Sequence, residues 1–226
     1  MNHPLRIPFG TSGRANSRSF LYFRMCARAL VRYRVLVDQI KGLSHLDRHY
    51  DEIADQLEEA AVEPVVFGGM CLEATLYDLT ACLFGDTYAE QTDRLGPMGK
   101  YFVVAKYMDR RVPDTAGVTY QQLKALIAAR NLLAHHKSVS YLEGDMQKVF
   151  DGTTKQHHQH VAGINASFKA LVLLSLHFEG NIFEELRIIP SFKKREYWVD
   201  LVPPELHPDV RWCIESSSEG PPQNAP

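Results

Sequence analysis

The sequence contains no CxxC pair, no HExxH run, no GxGxxG or P-loop pattern and no GxSxG elbow. Each gap removes support for one class of chemistry: zinc or dithiol centres, zincin-type hydrolysis, nucleotide-driven motors and Rossmann dehydrogenases, and serine hydrolysis. The four cysteines, Cys26, Cys71, Cys82 and Cys213, are far apart and mostly sit in apolar runs, where a free thiol behaves as a small hydrophobe. No run of about 18 uncharged apolar residues offers to span a bilayer. The opening MNHPLRIPFGTSGRANSRSF has no apolar core of signal-peptide length. A reduced, cytoplasmic chain without a membrane partner is therefore expected. The Arg/Ser bias of that opening also has the composition of an organellar presequence, which is the lesser reading.

What is present is ordinary for a globular domain: 226 residues, 45% apolar and 23% charged. That length suits one domain with a sizeable core. The net charge of −2 conceals a segregation. Residues 1–50 carry nine Arg and Lys against Asp38 and Asp47, and residues 51–99 carry eleven acids against Arg94 alone. Such a split either makes a basic face for a polyanion or lets the first helix pair with the second; solvated ion pairs are the commoner outcome.

Pro4, Pro8, Gly10 and Gly13 mark residues 1–17 as an irregular arm. From Arg18 to Lys41 there is no Pro or Gly, and Phe20, Phe23, Ala27, Leu30 and Val31 recur at helical steps. A second helical region opens near Ser44 to Asp47, with Pro64 expected to kink or break it. After Gly68 and Gly69, MCLEATLYDLTACLF predicts a packed helix ending before Gly85. Residues 85–99 are turn-rich, KYFVVAKYM predicts a short helix, and RRVPDTAGV a loop. Helix signals resume at Thr119, as N-cap, and run through YQQLKALIAARNLLAHHKSVS. Residues 144–158 predict a polar loop, followed by a long apolar helix. Beyond Pro190, FKKREYWV predicts a lone strand or a docked segment, and the end of the chain a disordered tail. The expectation is an all-α bundle of four to five main helices over 18–188, with an arm at 1–17 and an irregular segment at 189–226.

One residue is out of place. At about 100° per residue, Leu123, Leu126, Ile127, Leu133 and Ala134 all fall within roughly 60° of Arg130, so a permanent cation sits at the centre of an apolar stripe. That is costly unless the guanidinium is paired, hydrogen-bonded, or open to a cleft or subunit seam. Asn131 and His135, four residues apart, are neighbours on one flank. His136 points the opposite way and Lys137 returns toward the arginine. Histidine transfers protons near neutral pH and arginine holds phosphate, which suits phosphodiester cleavage; RNA brings its own 2′-hydroxyl nucleophile, so no metal or cofactor is formally required. The structural alternative pairs Arg130 with a core acid, Glu73 or Asp78, and leaves the histidines at the helix C-terminus, where the macrodipole favours cations.

Arg130-Asn131-Leu132-Leu133-Ala134-His135 resembles the R-x(4–6)-H signature of HEPN domains, at its shortest spacing and with Asn as the polar second residue. YQQLKALIAARNLLAHHK is similar to the helix that carries the signature, and MCLEATLYDLTACLF with GKYFVVAKY to the preceding helix and lysine-bearing segment; the resemblance spans roughly residues 20–185. It implies a helical bundle that dimerises so that two motifs face each other across a cleft. It also implies a metal-independent endoribonuclease, commonly a toxin or defence effector, restrained in some cases by an antitoxin or regulatory protein. In that reading Arg130 binds the scissile phosphate, His135 moves protons, Asn131 orients one of them, and His136 and Lys137 contact the RNA. Some members use the same bundle only for binding or dimerisation, so a non-catalytic module that binds nucleic acid or a protein is the alternative.

Three further features belong to the expectation. Glu73 and Asp78 are read as neutralising Arg130. His157-His158-Gln159-His160 is read as a polar loop rich in histidine and not as a metal site. The ladder Arg24, Arg28, Arg32 is read as a solvated or acid-paired face before an RNA-backbone grip.

Overall fold

The computed structural model describes residues 17–109, 112–135, 146–178 and 188–218. It is all-α. Seven α-helices are seen among the described residues: α1 (Ser19–Lys41), α2 (Tyr50–Phe84), α3 (Asp86–Thr92), α4 (Pro97–Asp109), α5 (Val118–Ala134), α6 (Met146–Phe178) and α7 (His207–Ser218). Phe23, Ala27 and Leu30 of α1 are buried as their spacing requires, and Gly42 ends that helix.

The largest difference from expectation is α2, which runs unbroken for 35 residues through Pro64, Gly68 and Gly69. A proline inside a helix costs about 3 kcal/mol locally. Here the turn is held from outside: Pro64 and Val65 are buried, and Cys26 Sγ donates to the Pro64 carbonyl at 3.5 Å. The glycine pair is a packing device. A Cβ on Gly68 would stand 3.3 Å from Leu126 Cδ1 and Ser167 Cβ, and one on Gly69 would stand 3.0 Å from Arg130 Cγ. The missing side chains let α5 and α6 lie close on α2. The break falls where it was expected at the far end, at Gly85 with φ of 90°.

Two more boundaries move. Gly117, not Thr119, caps α5, and the expected loop at 144–158 is helical from Met146, so His157 to His160 sit on α6. Gly163 of α6 meets α5 with almost no space: a Cβ there would lie 2.0 Å from Ala129 Cβ.

The segment after Pro190, expected to be irregular, completes the core. Phe192, Trp198, Val202, Leu206, Val210 and Cys213 are all buried. Phe192 stacks toward Phe23 at 6.0 Å, and Ser175 Oγ donates to the Pro190 carbonyl at 2.8 Å. FKKREYWV docks around a 3-10 turn (Arg195–Tyr197) and forms no strand. On α7, Asp209 accepts from Arg34 at 2.6 Å and pairs with Lys169 at 3.3 Å, tying the helix to α1 and α6.

Two helices, α2 and the 150–178 part of α6, are long and apolar enough to cross a membrane. Most of each apolar window, 61% and 67%, is buried against the rest of this chain. None of the four cysteines is in a disulfide, and burial pushes the thiols of Cys26 and Cys213 up to about 12, which leaves them protonated and inert at neutral pH.

Two half-buried histidines make the bundle sensitive to acid. Burial lowers the imidazole pKa of His160 and of His177, and outweighs the Asp109 carboxylate 3.1 Å from His177 Nε2. A histidine whose folded pKa lies below its unfolded value near 6.5 favours the fold above that pH. This contribution is lost as pH falls from 6.5 toward the folded value, because the unfolded chain takes the proton first. The urea midpoint is therefore expected to drop between pH 7 and pH 5, and to drop less in a His160→Gln/His177→Gln chain. Equal drops in the two proteins would refute the assignment.

Candidate functional site

Arg130 stands in the last turn of α5, on the stripe occupied by the buried Leu123, Leu126 and Ile127. Its stem lies over Gly69 of α2, which has no side chain to hold it off. The guanidinium then emerges rather than staying buried, with a third of the side chain exposed. Nη2 pairs with Glu73 Oε1 at 2.9 Å, and Nη1 donates to Asn131 Oδ1 at 3.3 Å. A pair this exposed contributes at most about 1 kcal/mol. Its main effect is to orient a planar group whose five N–H donors are only partly used.

Of the two acids expected to neutralise Arg130, Glu73 does so and Asp78 does not. Asp78, five residues further along α2, accepts from Ser17 Oγ at 2.5 Å and from Ser19 Oγ at 3.3 Å. The carboxylate thereby fastens the start of α1 to α2.

Arg130, Asn131, Glu73 and Asp78 all line one open depression of about 640 Å³. Its other walls come from the start of α1, with Arg18 and Tyr22, and from the turn between α3 and α4, with Asp93 and Arg94. Lys100 of α4 closes the floor. Its side chain is 7% exposed and its Nζ bonds Asp93 Oδ1 at 2.5 Å. Sequence reasoning singled out none of Arg18, Arg94 and Lys100. One of them carried a signal: Arg94 is the sole base in 51–99.

His135 is not among the depression's lining residues. It is the C-cap of α5, exposed, with φ −124° and ψ 32°, and its backbone N–H donates to the Asn131 carbonyl at 2.9 Å. Five residues of helix separate it from Arg130, about 7.5 Å along the axis. His136 and Lys137 lie outside the described residues.

The remaining candidates separate. Arg32 pairs with Glu63 of α2 at 3.1 Å, Arg24 lies 6.0 Å over the Phe20 ring, and Arg28 is exposed, so the arginine ladder is not one continuous grip. Among the described residues, no group of three or more His, Cys, Asp or Glu side chains is placed to hold a metal ion. No protein-family model, curated protein or solved structure matches this chain.

Proposed function

We propose that the chain is a metal-independent endoribonuclease of the HEPN type, acting in the cytoplasm as a homodimer, in the manner of a toxin or defence effector. The observation that carries this reading is the end of α5. There Arg130 is oriented but not buried, with Asn131 beside it and the unburied imidazole of His135 following on the same helix.

In this reading the 2′-hydroxyl of the RNA loses its proton, its oxygen attacks the adjacent phosphorus, and the bond to the 5′-oxygen breaks. The leaving oxygen gains a proton. The products are a 2′,3′-cyclic phosphate and a 5′-hydroxyl. His135 moves these protons, Arg130 neutralises the charge that builds on the non-bridging phosphate oxygens, and Asn131 holds the guanidinium. His135 stands outside the pocket of its own Arg130, so a second copy facing this helix end supplies the other half of a composite site.

A non-catalytic module for nucleic acid or a protein partner is the second reading. It is favoured by the same two facts seen differently: Arg130 already has an acid partner, and His135 stands apart from the depression.

The two readings are separated by incubating mixed single-stranded RNA with the purified chain in EDTA and examining the ends produced. Cutting that leaves cyclic phosphate and 5′-hydroxyl ends is expected. No cutting at high protein concentration, together with a monomer by light scattering at micromolar concentration, would move the assignment to the binding module.

A further inference from the structure

Among the described residues four cationic side chains line the depression, Arg130 included, and they are not equivalent. Arg130 is held by Glu73 and Lys100 by Asp93, and Asp78 accepts from two serines. Arg18 and Arg94 remain. Both are exposed, both line the depression, and neither has an ion-pair partner among the described residues. They come from unrelated elements, the N-cap of α1 and the turn between α3 and α4, and line the same opening. Two guanidinium groups on one opening, neither held by an ion pair, gain from an anion that bridges them.

The rest of the lining narrows the anion. Glu73 and Asp93 are each held in an ion pair, and Asp78 is held by hydroxyls; four cations against three acids leave one excess positive charge among the described lining residues. At about 640 Å³ the depression falls within the roughly 300–1,000 Å³ usual for sites that hold a small organic group. Tyr22, one turn after Arg18 on α1 and half-buried, supplies an aromatic wall of the kind on which a base rests. Phosphate-binding arginines beside an aromatic wall, continuous with Arg130, fit one unit of a nucleic-acid strand.

We propose that this depression is a nucleotide subsite for single-stranded RNA, which takes the residue next to the scissile phosphate, with its own phosphate on Arg18 and Arg94 and its base toward Tyr22. The proposal rests on the ribonuclease reading for the word scissile, but the subsite itself can be tested without any cutting.

The probe is a fluorescent 2′-O-methyl oligoribonucleotide, which has no free 2′-hydroxyl to attack, titrated with the full chain by anisotropy from low to moderate salt. Arg18→Ala/Arg94→Ala is expected to bind at least tenfold more weakly. The slope of log affinity against log salt should fall by about 0.7 for each phosphate contact removed. Arg195→Ala/Arg211→Ala, which removes two exposed arginines elsewhere, should bind like the wild type. Equal binding by the two double variants, or no binding by the wild type at low salt, would overturn the subsite. If the subsite variant binds weakly while the wild type never cuts natural RNA, the subsite stands and the ribonuclease reading fails. If the wild type cuts and the subsite variant still binds normally, only the subsite fails.

Discussion

Replacing His135 with alanine is expected to lower RNA cleavage by about 10²- to 10⁴-fold, the usual worth of a positioned proton-transfer group, and to leave the fold intact. The second half follows from the structure. His135 is exposed at the end of α5, and the bond that closes the helix there uses its backbone N–H to the Asn131 carbonyl, which alanine retains. Nothing buried depends on the imidazole, so the circular dichroism spectrum and unfolding midpoint should match those of the wild type. Cleavage assayed in EDTA on folded protein then reports chemistry alone. A folded His135→Ala chain that cuts at the wild-type rate would take proton transfer away from this residue.

The opposite kind of variant is Gly163→Ala, which should damage the fold while touching no candidate site residue. An exposed Gly→Ala change in a helix gains about 1 kcal/mol from backbone entropy. At Gly163 the new Cβ would sit 2.0 Å from Ala129 Cβ and 3.2 Å from the Ala125 carbonyl, so the α5 and α6 backbones must separate. Overpacking of this kind commonly costs about 1–3 kcal/mol and more when backbone must move, which exceeds the helix gain. A net loss of about 2 kcal/mol or more is expected, against total stabilities of about 5–15 kcal/mol. Gly152→Ala, in the same helix, has nothing within 4 Å of the new Cβ and should be neutral or stabilising. Thermal or urea unfolding of the two variants side by side checks the sign. Equal stabilities would mean that α5 and α6 are not packed this closely.

These two glycines show where reading the chain works and where it stops. Periodic apolar spacing was enough to predict α1, the C-terminal half of α2, α4, α5 and the apolar half of α6, because one buried face imposes that spacing on any amphipathic helix. The displaced Arg130 was legible on the same ground, since a charge on an apolar stripe contradicts the pattern around it. Its need for an acid, Glu73 or Asp78, followed from electrostatics. In contrast, Pro64, Gly68, Gly69 and the polar start of α6 are local helix-weakening signals, and all were overruled by neighbours distant in sequence. In the C-terminal segment the docked alternative for FKKREYWV holds, whereas α7 was not anticipated: Pro-rich composition describes local preference, and Phe192, Trp198 and Val210 are ordered by the core they fill.

The sequence alone thus determined the helical class, the position of the helix that carries Arg130, Asn131 and His135, and the demand that the arginine be satisfied. Tertiary structure decided which acid satisfies it, that Asp78 fastens α1 instead, that His135 lies outside the pocket, and that Arg18, Arg94 and Lys100 gather around Arg130. The reason is one of range. Propensity and periodicity act within a few turns of one helix. Ion pairing and close packing depend on which helices cross and how near, and here glycines without side chains set that distance.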